Sequence, residues 1–332
     1  MIRHTLSKAI RFCDNGLGLL SDQFLSQSPS LTIFAFHSLF VSDDEIVSGF
    51  VDPQQGITVE MFRKFVSDFQ MHGYRFVTPR GALEGLGPKS RNVLITFDDG
   101  YYNNLRALPI LEEFKAPAVF CVSTDYIETG KSFWWDALYR EAKKRKWPQA
   151  RTNRTRNAYK LKRTLEVEDA LTGEFDKKVL DPVSDVDRPM TAAELANLAN
   201  HPLCHIGNHT AEHAILTNYT AAEIKQQISS AQQYIQRTTE VIPELIAYPN
   251  GNTSLEILQI TRESGLRLGV TVQPGKNRIG DIQHHGRVLT LKRFTLWGNS
   301  QLEPQFRNAR TAFSLASVVS QLRMKSSTSF TS

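Results

Sequence analysis

Residues 92–100 read Asn92-Val93-Leu94-Ile95-Thr96-Phe97-Asp98-Asp99-Gly100. Six residues dominated by β-formers run into two carboxylates and a glycine. A short apolar run of this kind predicts a buried strand, and the glycine predicts a tight turn.

The same rhythm continues on both sides. Residues 31–36 predict a strand ending at His37, and residues 118–123 another. Between the strands, Val59, Phe62, Val66 and Phe69 recur at helical spacing before Gly73, and residues 105–114 also read as helix. Residues 74–78, 203–207, 245–248, 268–272 and 288–296 are further strand candidates. Thr191 with Glu194, and Thr220 with Glu223, form capping boxes. Behind the second box, Ile224, Ile228, Ala231 and Ile235 make one apolar stripe, expected in the core. Strands alternating with helices predict parallel βα units and an α/β fold.

The chain has 332 residues, a 41% hydrophobic and 22% charged composition and a formal net charge of +5, which excludes a disordered or fibrous protein. Residues 130–190 interrupt the βα rhythm. Within them, residues 140–163 carry +10, while the rest of the chain carries −5. The basic character therefore belongs to one insertion. Such a block is either a solvated face or an attractor of anions, including a peripheral anionic membrane surface. No aromatic-interleaved platform or zinc-finger spacing accompanies it, which disfavours nucleic acid. Cys13, Cys121 and Cys204 are too few and scattered for a disulfide framework, and Cys121 reads as buried. No apolar run is long enough for a transmembrane helix, and the N-terminus shows no signal-peptide core. These readings favour a cytoplasmic location, either free or peripheral to a membrane. Ile2, Leu6 and Ile10 fall on one helical face, which packs on the domain or lies on a membrane.

Chemistry points to strand ends. Asp98-Asp99 follows one strand, and His209 and His213 follow another. Carboxyl ends of parallel strands converge on one face. Side chains of adjacent residues point apart, so one Asp suits a metal and the other remains free as a base. Two histidines at i and i+4, read as a helical turn, reach one ion, and imidazole suits zinc and other first-row divalents. Either motif alone is weak, since a DDG turn is often just a loop and HxxxH pairs arise by chance.

Together the motifs identify a resemblance. Thr96-Phe97-Asp98-Asp99-Gly100 and His209-Thr210-Ala211-Glu212-His213 resemble the TFDDG and H(S/T)xxH motifs of polysaccharide deacetylases, carbohydrate esterase family 4. Ala247-Tyr248-Pro249-Asn250-Gly251 is similar to the family's third motif. The likeness spans about residues 31–300, insertion excepted. It implies a distorted (β/α)7 barrel with a helical and loop insertion at about 130–190. An N-terminal helical segment at 1–30 precedes the barrel, and a C-terminal helix with a disordered tail at 301–332 follows it. It also implies Asp98 as general base, Asp99, His209 and His213 as metal ligands, the Tyr101 backbone N–H as oxyanion donor and Pro249 as a supporting residue. The cofactor would be a divalent metal, zinc first, with cobalt, nickel or manganese as alternatives. The substrate would be an N-acetylated sugar or glycan of the GlcNAc type, such as a cell-envelope or exopolysaccharide intermediate.

The chain departs from the family at two places. The late Leu-x-His motif is missing, so the acid for the leaving amine is either His37 or the His284-His285 pair. The Phe-His-Ser-Leu segment around His37 resembles the tyrosine-His-Ser motif of poly-N-acetylglucosamine deacetylases, whereas the bland alternative is a core histidine. The third motif has Ala247 near the place of its usual Arg. Arg293 is the candidate replacement that keeps Asp98 ionised, against a plain surface Arg. Phe133, Trp134, Trp135 and Trp297 either form a sugar platform or anchor a loop. Rival functions are a non-catalytic glycan-binding member of the fold and a glycosyltransferase using Asp98-Asp99. The histidine pair argues against the transferase.

Overall fold

The computed structural model describes residues 29–87, 90–279, 282 and 287–311. The expected N-terminal helix, the tail and the rival acid His284-His285 lie outside the described residues.

Eleven strands are present among those residues: β1 Ser30–Phe36, β2 Leu39–Phe40, β3 Ile57–Thr58, β4 Arg75–Phe76, β5 Arg91–Phe97, β6 Ala118–Val122, β7 Cys204–Asn208, β8 Leu245–Ala247, β9 Leu268–Val270, β10 Asn277–Arg278 and β11 Phe294–Thr295. The main sheet runs β10-β1-β5-β6-β7-β8-β9, with β11 added to β1 and β4 to β5. All its pairings are parallel except that of β10 with β1. The sheet curls, because residues just before β11 reach the far edge. Leu291 N–H donates to Gly269 O at 2.8 Å, and Thr271 N–H to Leu291 O at 2.9 Å. One short run thus touches β9 at its start and β1 at its end. The result is the curled, half-barrel form of an α/β (β/α)7-type fold.

Both faces of the central strands are buried, which is why they read as continuous apolar runs rather than alternating ones. On one side the helix Val59–Met71, capped by the Thr58 side chain, packs Phe62, Phe65 and Phe69 against Phe34, Phe36 and Phe97. The helix Leu302–Arg310 closes that layer with Phe306 and an Arg310–Asp68 ion pair. Both capping boxes form, and the Ile224, Ile228, Ala231, Ile235 stripe is buried.

Two strand expectations shrink. Residues 74–78 yield only β4, because Thr78 caps the helix Pro79–Glu84. Residues 288–296 yield a 3-10 turn, Arg287–Leu289, and the two-residue β11, because this segment changes partner from β9 to β1 along its length. The insertion forms three helices, Trp134–Lys144, Gln149–Tyr159 and Thr164–Glu174. Its core is aromatic, with Phe133, Trp134, Trp135 and Tyr159 packed beside Tyr101 and Tyr126. The basic block is not one solvated face. Arg140, Lys144, Arg145, Arg156 and Arg163 pair with Asp187, Glu141, Glu141, Asp52 and Glu223. No helix among the described residues is long and apolar enough to cross a membrane.

Candidate metal centre and catalytic cavity

Strand register places the site. Phe36 pairs with Phe97, so the next residues, His37 and Asp98, emerge side by side. Val122 pairs with Asn208, which brings His209 to the same edge, where its N–H donates to Val122 O at 3.1 Å. Tyr248 and Thr271 follow β8 and β9 at that edge. One cavity of about 550 Å³ is bordered by His37, Asp98, Asp99, His209 and His213.

Asp98 and Asp99 face different partners. Arg293 grips both Asp98 oxygens, at 2.8 and 2.7 Å, and the Arg293 guanidinium is itself fixed by Thr271 O and Thr96 Oγ1. Arg293 is 1% exposed, so the surface alternative is excluded. Burial pushes the Asp98 carboxyl up, but Arg293 foremost, with His209 and His37 assisting, more than offsets it and holds the group well below the usual range. Asp99 lies in left-handed backbone at φ 75°, followed by Gly100 at φ 96°. A Cβ on Gly100 would also press on Val122. The turn aims Asp99 at the histidines. Its Oδ1 is 3.3 Å from His209 Nε2 and 3.4 Å from His213 Nε2.

The histidine motif is not a helical turn. Residues 209–213 form a loop, with Thr210 at φ 66° and His213 at φ 54°. Asn208 Oδ1 accepts from Thr210 N–H, Thr210 Oγ1 accepts from Ala214 N–H, and Gln227 accepts from Ala211 and Glu212. These bonds satisfy the backbone in place of helical ones. His209 Nδ1 donates to Ala247 O at 2.7 Å, which fixes its tautomer and turns Nε2 to Asp99. That carbonyl belongs to the third motif. Its Pro249 is buried and opens a short 3-10 turn, with Asn250 left-handed.

The three ligand atoms lie within 4.8 Å of one another. Metal bonds of about 2.1 Å at a tetrahedral angle put ligand atoms about 3.4 Å apart, close to the two Asp99–His contacts. Both Asp99 oxygens are buried without a hydrogen-bond donor, an arrangement a cation would satisfy. Burial, then His209, push the His213 pKa down to about 3, leaving a neutral imidazole. Burial alone would lower His209 too, but the Asp99 contact and the neighbouring carboxylates raise it. The same field favours a cation between these groups. The donor set therefore fits a divalent metal.

His37 is clamped by its backbone. Its N–H donates to Gln55 Oε1 at 3.0 Å, its carbonyl accepts from Asn104 Nδ2 at 2.6 Å, and Gln55 Nε2 reaches Ala35 O. Its buried Nδ1 has no hydrogen-bond partner. The Tyr101 backbone N–H has no partner among the described residues, while its hydroxyl donates to Asp136 at 2.7 Å. Trp135 Nε1 donates to that hydroxyl, and its ring lies 4.5 Å from His213. Trp134 and Trp135 are 4% and 6% exposed, so they border the cavity from within the insertion core rather than as an open platform. Phe133 is fully buried and does not border it. Trp297, 48% exposed, does.

Sequence reasoning missed Asp52, Gln55, Asn103, Asn104 and Asp136. Asn103 Oδ1 accepts from Leu39 N–H, and Asp136 Oδ1 accepts from Asp52 N–H. The one available signal was the Asn103-Asn104 pair, polar residues soon after the TFDDG stretch.

The family model for Polysaccharide deacetylase matches residues 86–269, more than half of the chain. YxkH of Bacillus subtilis (strain 168), a relative carrying the polysaccharide deacetylase name, is 22% identical over 210 residues, 61% of this chain and 54% of its own length. The chain thus spans about half the length of that curated relative. Among solved structures, Streptococcus pyogenes deacetylase PplD in complex with acetate superposes at TM-score 0.58, with 17% identity over 85% of this chain and 99% of the other. IcaB from Ammonifex degensii superposes at 0.57, with 16% identity over 86% and 99%. These two likenesses are of fold. Motifs, fold and family match agree: the chain belongs to the polysaccharide deacetylase family.

Proposed function

We propose that this protein is a carbohydrate N-deacetylase, a metal-dependent hydrolase that releases acetate from a GlcNAc-type sugar or glycan. One observation carries the reading. A fully buried arginine holds one carboxylate ionised, and the adjacent carboxylate faces two imidazoles in the same cavity. A binding module has no need of that division.

Asp99, His209 and His213 would hold a divalent cation, zinc being the best match to one carboxylate and two imidazoles. When bound, such a cation supplies Lewis acidity to the amide carbonyl and acidity to the attacking water. Asp98 takes a proton from that water as its oxygen bonds to the carbonyl carbon. Arg293 keeps Asp98 charged and fixes its direction, and the remaining lone pairs of the carboxylate stay available. The Tyr101 N–H donates to the developing oxyanion. His37 then gives its proton to the amine nitrogen as the C–N bond breaks. Trp297 offers an apolar face to the sugar ring at the mouth.

Acetate release from N-acetylated glucosamine oligosaccharides tests this. Asp98→Asn should lower the rate by about 10²–10⁴-fold while substrate binding persists. His37→Ala should lower the rate by a comparable factor while the bound metal is retained. Wild-type turnover by Asp98→Asn defeats the mechanism. Binding without acetate release by the wild type makes the protein a glycan-binding member of the fold. A rate lost on changing His284 or His285 but kept in His37→Ala moves the acid to that loop.

A further inference from the structure

The cavity has a wall that the amide chemistry leaves unused. The insertion helix Gln149–Tyr159 and the residue after it bring Arg156 and Lys160 to the space bordered by Asp98, Asp99, His209 and His213. Arg156 pairs with Asp52 Oδ2, while its buried Nε has no hydrogen-bond partner. Asp52 is held in place from behind, its N–H bonded to the Asp136 carboxylate. Lys160 Nζ donates to the Asn250 side-chain oxygen at 3.0 Å and has no carboxylate partner among the described residues. An ammonium carries three donors, so two remain.

Charge at this wall is unbalanced. Of the cavity carboxylates, Asp98 is matched by Arg293, Asp52 by Arg156, and Asp99 faces the imidazoles. No carboxylate among the described residues pairs with the Lys160 ammonium, and burial, then Arg156, lower its pKa more than Asp52 raises it. The same helix carries Arg151 and Arg154, both exposed and without a carboxylate partner among the described residues, which adds to the positive field. A neutral glycan gives this arrangement nothing to neutralise.

We infer that Lys160 and Arg156 form an anion subsite, and that the substrate is an N-acetylated sugar bearing a phosphate ester or phosphodiester. This rests on the deacetylase reading for the reacting end of the sugar. Phosphate suits the pair because its oxygens are several and splayed. The arginine takes one through its directed N–H, and the lysine, a mobile point charge, takes another. The residue contacts explain the insertion as well. Its helices carry the cations inward on an aromatic core, and Lys160 meets the third motif at Asn250.

Affinities of the purified full chain for three probes test the subsite by NMR titration: N-acetylglucosamine 1-phosphate, its alkyl phosphodiester and the neutral methyl glycoside. The phosphorylated probes should bind tighter than the glycoside, with the difference shrinking at high salt. Lys160→Gln should weaken the phosphorylated probes relative to the glycoside by about tenfold, and Lys160→Arg should retain most of the difference. Preference for the free ester marks a soluble sugar phosphate, and preference for the alkyl diester marks a lipid-linked one. Either upholds the subsite. Equal weakening of all three probes by Lys160→Gln, or no tighter binding of the phosphorylated probes by the wild type, overturns it. Lys160-dependent binding of the phosphorylated probes with no acetate released from any probe would uphold the subsite and defeat the deacetylase reading.

Discussion

Asp98 and Asp99 are chain neighbours in opposite surroundings, one against a guanidinium and one against imidazoles. Their separation makes two predictions. Purified protein should hold about one divalent ion per chain, and His209→Ala should lose most of it, while Asp98→Asn keeps it. Elemental analysis decides this, and full occupancy in a His209→Ala, His213→Ala double mutant would sink the ligand assignment. The second concerns Arg293. Truncating one partner of a buried ion pair typically costs about 3–5 kcal/mol, because the other charge is left unpaired. Arg293→Gln should therefore destabilise by about that much in urea unfolding, and adding Asp98→Asn should recover part of the loss. Additive effects would show that the two groups do not interact. The positions of Asp98, Asp99, His209 and His213 were readable as motifs. The left-handed backbone at Asp99, Thr210 and His213 was not, since Asp and His adopt positive φ more often than most residues yet only in a small minority of positions, and Thr rarely does.

At the scale of elements, local chemistry set many boundaries. The helix Ala192–Ala199 begins at the Thr191–Glu194 capping box, and Arg188 adds a bidentate contact to Glu194 at 2.8 and 2.9 Å. Arg188 holds the Glu194 carboxyl below its ordinary 4.5, with burial opposing and Thr191 assisting. A carboxylate depressed in the folded state stabilises above its unfolded pKa, and that contribution is lost as pH falls through the folded-state pKa. Glu194→Gln should thus lower the urea midpoint at pH 7, and the gap from wild type should close as pH falls below about 4.5. A gap constant from pH 7 to pH 3 would assign the loss to packing. These boxes were visible in sequence because their partners are three residues apart. The strands at residues 74–78 and 288–296 were overread, because apolar composition does not reveal when a segment must cap a helix or change neighbours.

On the scale of the whole molecule, the sheet curls so that loops distant in sequence meet. Gly298, just past β11, lies against Gly56 beside the cavity. A Cβ there would fall 1.8 Å from Gly56 O, and Gly298 N–H donates to Gln55 O at 2.8 Å. Gln55 also holds His37. Gly298→Ala should therefore displace the loop that positions His37, lowering both the melting temperature and the rate of acetate release. Unchanged values for both would mean that this contact carries no strain. Phe306→Ala tests the outer helix layer, where the helix Leu302–Arg310 covers Phe65 and Phe69, and should cost about 3–5 kcal/mol by denaturant unfolding.

The sequence by itself determined the parallel α/β order, the two motifs, the capping boxes and the insertion, because each is written in short-range spacing. It also named Arg293 as the partner for Asp98, but on a vacancy in the family pattern rather than on any contact. Tertiary structure alone decided the rest. Parallel register put His37 beside Asp98 across 61 residues of chain, as Phe36 pairs with Phe97. The curl of the sheet drove Arg293 into the interior, where a lone guanidinium is tolerable only against a carboxylate. The insertion's basic run was a sum of charges in sequence. Which cations were neutralised by Asp52, Asp187, Glu141 or Glu223, and which one reached the cavity with an amide for company, depended on distances that no local pattern encodes.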